Sequence, residues 1–213
     1  MEFARTYKIV TDRLLIRCYV PADAKKLQAA INGSLEHLRP WIPWAQDEPQ
    51  EIDWMAKFIR KFRGQFDLGQ DAVYGIFNKE ETELIGGTGL HDRVGPDARE
   101  IGYWINVDHI NQGYASEAVC ALVKVGFELE GLSSLEIHCA ADNSRSNNIP
   151  RKLGFRHANS PKDQAPDSRG RPSHMMIWTL DAAEYTTSPI RDTDLKAYDF
   201  LDREIYRSIA STK

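Results

Sequence analysis

The chain is poor in cysteine, has no long apolar run and carries no excess of positive charge. Its 213 residues include only three cysteines, Cys18, Cys120 and Cys139, far apart and each in apolar surroundings. None has the close spacing of a metal knuckle, and an odd, sparse set predicts a reducing compartment rather than a disulfide framework. The histidines show no ligand spacing either, so no metal is expected. No stretch approaches the ~20 apolar residues that a membrane span needs. The opening MEFARTYKIVTDR lacks the apolar core of a signal peptide. Lys and Arg number 27 against 31 Asp and Glu, a formal net charge of −4, which excludes a sequence-independent nucleic-acid binder. Together these absences predict a cytoplasmic protein that uses no membrane, no nucleic acid and no metal.

What remains is the mix of an ordinary globular domain, with 42% hydrophobic residues, enough for one well-buried core. RLLIRCYV (13–20) alternates as a strand, with Leu14, Ile16 and Cys18 on one face. Pro21 opens a helix that should stop at Gly33, and 51–66 repeats apolar residues at three- and four-residue spacing, as a second helix does. AVYGIF (72–77), ELIGGTGLH (83–91) and REIGYWIN (99–106) read as three strands of an antiparallel meander. A long helix follows over 113–131, its stripe made of Ala115, Ala118, Val119, Leu122, Val123 and Phe127, ending at Gly131. LEIHCAA, a short helix, FRHANS, a polar loop SPKDQAPDSRGRPS and a closing strand HMMIWTL complete the pattern. GGTGLH (86–91) lacks the last glycine of a dinucleotide fingerprint; its glycines are read as places of close backbone approach. In the tail, Leu195, Tyr198, Leu201, Ile205 and Ile209 recur at helical spacing, which predicts an extra helix buried against its own domain or in a homodimer.

The long helix starts unusually. INQGYASEA (110–118) puts amides, a glycine and small residues in the first turn, with no lysine or arginine. The first N–H groups of a helix have no intrahelical partner and sit at the positive end of its dipole, so a phosphate can be held there by backbone alone. Gly113 permits close approach, Ala115 and Ser116 keep the path clear, and Asn111 tolerates the left-handed conformation of a tight nest. An ordinary helix start with a glycine-relieved turn explains the same residues.

Longer segments choose between these readings. EIGYWINVDHINQGYASEAVCALVKVGFEL followed by EIHCAADNSRSNNIPRKLGF resembles the GNAT superfamily of acyl-CoA N-acyltransferases, and within it the RimJ/RimL-type acetyltransferases. TDRLLIRCYVPADA and LRPWIPWA are similar to the same branch. The resemblance implies a GNAT fold of the α/β (α+β) kind: a mixed, mostly antiparallel seven-stranded sheet flanked by helices over residues 1–185. The helical extension would occupy 186–213. It implies transfer of acetyl from acetyl-CoA to a primary amine, either a protein N-terminus or a small molecule. A non-catalytic acyl-CoA sensor with the same cleft is the alternative.

By the same resemblance, the pyrophosphate of CoA would lie on Asn111, Gln112, Gly113, Tyr114, Ala115 and Ser116. Ile110 stands where the family has Arg or Gln, so a polar clamp is missing while backbone binding survives. The pantetheine arm would run along the open edge of its strand at Trp104, Ile105 and Val107, with Asn143 lining it. Glu100 matches a position from which a glutamate removes the amine's proton, and Ser146 is the candidate acid toward the departing thiolate. Glu100 also reads as a solvated strand residue, and Asn143 and Ser146 as helix caps. Trp41 and Trp44 would wall the acceptor site, or else plug the gap between the first two helices.

Overall fold

A computed structural model describes residues 6–158 and 175–208. The chain begins with β1 (Lys8–Val10), β2 (Leu14–Cys18), α1 (Ala24–Leu38), α2 (Ile52–Asp67), β3 (Ala72–Asn78), β4 (Leu84–Gly95) and β5 (Ala98–Ile105). It continues through α3 (Tyr114–Glu128), β6 (Ser134–Ala140), α4 (Ser144–Lys152), β7 (Arg156–Ala158), β8 (Met175–Asp181), α5 (Ala182–Tyr185), β9 (Lys196–Tyr198) and β10 (Glu204–Arg207). All these strands form one sheet in the order β10-β9-β1-β2-β3-β4-β5-β6-β8-β7. Every neighbour pair is antiparallel except β5 with β6.

Alternation along the strands builds two cores. Leu14, Ile16 and Cys18 join Tyr74, Ile76, Leu90, Ile101 and Leu135 on the face covered by α3. On the other face, Phe77, Leu84 and the half-buried Leu15, Val73 and Trp104 pack under Leu27 and Ile31 of α1 and Met55 and Ile59 of α2. α1 runs through Gly33 rather than stopping there. A Cβ at Gly33 would meet nothing, and the next turn is held by buried Leu38 and by Ser34, whose hydroxyl receives the Val107 N–H (3.0 Å).

The strand count and the tail differ from expectation. Seven strands correspond to those read from sequence; β1, β9 and β10 are additional and form one edge. The tail is no helix. From Leu195 to Asp199 burial alternates, with Leu195, Ala197 and Asp199 inside, and this two-residue period pairs the segment with β1. The apparent helical stripe was a coincidence of spacing: Leu201 is 59% exposed and Ile205 36%. Ile209, the loop 160–173 and His174 lie outside the described residues.

The same tail buries α3 on its outer side. Lys124, only 4% exposed, donates from Nζ to the carbonyls of Thr193 (3.0 Å) and Arg191. Tyr185 and Tyr206 both donate to Glu128. α3 is therefore buried over most of its circumference, where the sequence predicted a stripe. Among the described residues no helix is long and apolar enough to cross a membrane.

Candidate active site

The site begins where two parallel strands part. β5 and β6 pair only at Ala98–Ser134, Arg99–Leu135 and Glu100–Glu136. Beyond Glu100 the β6-facing edge of β5 is open, while β4 stays paired to it as far as Ile105. An extended amide-bearing chain can add to such an edge as a strand would. Ile105 ends the strand. Val107 has already entered a 3-10 turn (Val107–His109), and its N–H is taken by Ser34, which leaves only its carbonyl for a ligand.

Just past that turn lies the start of α3. Asn111 (φ 61°) and Gly113 (φ 84°) both adopt left-handed backbone around Gln112. The N–H groups of Gln112, Gly113, Tyr114, Ala115 and Ser116 make no hydrogen bond among the described residues. Five consecutive free donors at a helix N-terminus suit an anion. Sequence reading found no cation here, but the fold supplies one. Arg13, at the foot of β2, donates from Nη1 to the Gln112 carbonyl (2.9 Å) and stacks over Tyr114, 4.5 Å from the ring centroid. Glu117 holds that guanidinium at 2.6 Å and also accepts from the Arg13 N–H and the Thr11 hydroxyl. Ile110, in place of a polar clamp, packs against the core. The arrangement fits the pyrophosphate and pantetheine portions of acetyl-CoA.

Glu100, Gly102 and Trp104 share the face of β5 beneath α1 and α2. Glu100 is 15% exposed, with Arg93 at 3.6 Å and His138 Nδ1 at 3.8 Å. His138 also meets Glu136 (2.6 Å). Trp104 lies over Gly87, where a Cβ would fall 2.4 Å from its indole nitrogen, and meets Trp44 edge to face at 6.1 Å. Trp41 and Trp44 are each 37% exposed, so Trp44 carries an aromatic wall from Trp104 to the surface. The Trp104 indole thus lies on the Trp44 side of β5. The glycines of β4 are sites of close approach, as the sequence predicts.

On the opposite face, Asn143 caps α4 by accepting from the Ser146 N–H (3.1 Å). Pro150, inside α4, has no N–H for the Ser146 carbonyl four residues back. The Tyr103 hydroxyl donates there instead (3.2 Å) and lies 3.0 Å from Ser146 Oγ. Burial pushes the Tyr103 phenol up, so it stays protonated. This partner for Ser146 was missed in the sequence, although alternation from Glu100 places residue 103 on the other face. Asn147 was missed too: buried, it accepts from Trp178 Nε1 (2.9 Å) and donates to the Ala140 carbonyl (2.8 Å), fixing α4 to β6 and β8. Burial raises the Cys120 and Cys139 thiols to about 11. Among the described residues no group of three His, Cys, Asp or Glu side chains could hold a metal.

A split parallel pair, five unbonded N–H groups beyond its mouth, a carboxylate on one face and paired hydroxyls on the other fit an acyl-CoA-dependent transferase. Residues 13–156 match the acetyltransferase (GNAT) domain, and the chain belongs to that family. It is 31% identical to the uncharacterized N-acetyltransferase YoaA of Bacillus subtilis, over 68% of this chain and 80% of that protein. It is 26% identical to the uS5-alanine N-acetyltransferase of Escherichia coli, over 73% of this chain and 81% of that one. In fold it is similar to RimL, the ribosomal L7/L12 α-N-protein acetyltransferase solved with CoA (TM-score 0.74, 20% identity, 82% of this chain and 97% of that). The protein is an N-acetyltransferase that uses acetyl-CoA, and the sensor alternative is not favoured.

Proposed function

We propose that the acceptor is the α-amine of a protein N-terminus, acetylated in the cytoplasm. The observation that carries this reading is the aromatic wall from Trp104 through Trp44 to the surface, with Trp41 exposed beside it. Such a wall suits a chain end that enters while the polypeptide trails outside. The E. coli relative named for uS5-alanine acetylation supports the same acceptor class. Acetyl-CoA lies with its pyrophosphate on residues Asn111 to Ser116 and its pantetheine on the open edge at Ile105 and the Val107 carbonyl, with Asn143 beside it. Glu100 takes the amine's proton on the α1–α2 face. Ser146, with Tyr103 behind it, protonates the thiolate from the other. Phe200, Leu201 and Ile205, exposed at the β9–β10 edge, are the surface through which a homodimer would form; light scattering of the full chain reads that directly.

Thiol release from acetyl-CoA tests the acceptor, with peptides beginning in Ala or Ser, the same peptides blocked at the α-amine but carrying lysine, and small amines such as spermidine and glycinamide. Turnover of the free peptides alone supports the reading. Turnover confined to small amines rejects it in favour of a small-molecule acceptor.

A further inference from the structure

The established reaction sheds two protons from one nitrogen. The acceptor arrives as –NH3+ and leaves as an amide N–H. Its lone pair forms the bond to the acetyl carbon, the carbon–sulfur bond breaks with its electrons going to sulfur, and the thiolate takes up one proton. The second proton is released, so ammonium plus acetyl-CoA becomes amide, CoA and H+. Glu100 accounts for the proton that frees the lone pair, and a second acceptor on the same face would take the proton that nitrogen loses after bond formation.

His91 lies there. It is the cross-strand partner of Glu100, so the two side chains project from the same face of β4 and β5. Its ring folds over the paired glycines Gly89 and Gly102: a Cβ would lie 2.7 Å from Nε2 at the first and 3.1 Å at the second. The sheet thus has no side chain beneath the ring in the direction that runs toward the open edge of β5. Asp71, in the turn before β3, holds Nδ1 with both carboxylate oxygens at 3.1 Å. A carboxylate accepts only, so Nδ1 carries the hydrogen, and in the neutral ring Nε2 keeps its lone pair. Burial would raise the Asp71 carboxyl, yet the His91 hydrogen bond and charge, the Ala72 N–H and Arg93 hold it below the ordinary range. Nε2 itself has no hydrogen-bond partner among the described residues. The charged groups around the pair are Asp71 on the His91 ring, Arg93 and His138 beside its cross-strand partner Glu100, and Glu136 beside His138.

The geometry points to His91 as a second catalytic proton acceptor, oriented by Asp71 as a positioning residue, working beside Glu100 on the amine side of the sheet. This rests on the acceptor entering along the Trp104–Trp44 wall. Glycine at both positions lets the ring lie on the sheet beside Glu100 with Nε2 unbonded.

The test uses His91→Ala, His91→Gln and Asp71→Asn in the full chain, with an Ala-initiated peptide and glycinamide as separate acceptors. Circular dichroism and the CoA dissociation constant, expected within about twofold of the parent, confirm that each variant is folded. His91→Ala should lower kcat about a hundredfold at pH 7, and imidazole added to the buffer should restore part of it by entering the space over Gly89 and Gly102. The rise of kcat/KM with pH that His91 supplies should vanish in His91→Gln. In Asp71→Asn it should move to lower pH, because a charge that favours the imidazolium is gone. A kcat within twofold in both His91 variants, or a lowered kcat without imidazole rescue and with an unmoved pH profile, overturns the proposal. Glycinamide turnover without peptide turnover would reject the protein N-terminus alone and leave the His91 comparison readable; no turnover of any amine by the parent would overturn both.

Discussion

Gly113→Ala isolates the anion nest from the rest of the cofactor site. Gly113 sits at φ 84°, ψ 0°, and a Cβ there would lie 3.4 Å from Arg13 Nη2, an ordinary contact. The substitution therefore introduces backbone strain without a clash. An alanine in left-handed backbone costs roughly 1–2 kcal/mol. The segment is exposed, and Arg13 donates to it at the Gln112 carbonyl. The free protein can then relax to an unstrained conformation and meets the cost only when the five N–H groups must converge on phosphate. The expected result is a CoA dissociation constant raised about 5- to 30-fold, since 1.4 kcal/mol is tenfold. Pantetheine, which lacks the pyrophosphate, should bind as before, and the melting temperature should hold. Isothermal titration with both ligands is the assay. Equal weakening of CoA and pantetheine, or unchanged CoA affinity with an unchanged melting temperature, would refute the nest.

Glu100→Gln should lower kcat by about a hundred- to ten-thousand-fold near neutral pH and recover partly at high pH, where free amine is plentiful; a stopped assay across pH reads this, and an unaltered profile removes Glu100 as base. Ser146→Ala should cost kcat less than Glu100→Gln, because water can protonate the thiolate. Tyr103→Phe should lower the melting temperature as well, since the Ser146 carbonyl then has neither the Tyr103 hydroxyl nor an N–H at Pro150; a Ser146→Ala loss as large as that of Glu100→Gln would contradict the solvent route. Lys124→Met strands two part-buried carbonyls, which costs about 1–3 kcal/mol, or roughly 2–12 °C at 2–4 °C per kcal/mol for a chain of this size; calorimetry showing no shift would mean the tail is not held through Lys124.

The sequence by itself determined the elements whose signals are local. β2 through β6, α2, α3 and α4 follow from alternation, from three- and four-residue spacing and from glycine stops, because these are properties of a few neighbouring residues. The positions of Asn111, Gly113 and Asn143 were legible for the same reason: left-handed backbone and helix capping select residue types directly. Counting in twos along β5 also puts Glu100 and Trp104 on one face. The tail shows where spacing misleads. Leu195, Tyr198, Leu201 and Ile205 fit a helix by count, but the unpaired edge of β1 offered a ladder of backbone hydrogen bonds, and Leu195 and Ala197 took the two-residue period that reaches it.

Only the tertiary structure decided which distant residues share a site. Arg13 supplies the cation that the start of α3 lacks in sequence, about a hundred positions away along the chain. Tyr103 reaches Ser146 because Pro150 leaves a carbonyl open on a helix that the sheet brings alongside. Asp71 and His91 meet across β3 and β4, over glycines that read in sequence only as weak points in a strand. Local propensity acts over one or two turns of chain. Hydrogen bonds, ion pairs and cleared space act over a few ångströms in whatever direction the packed sheet supplies, and that direction is set by the fold as a whole.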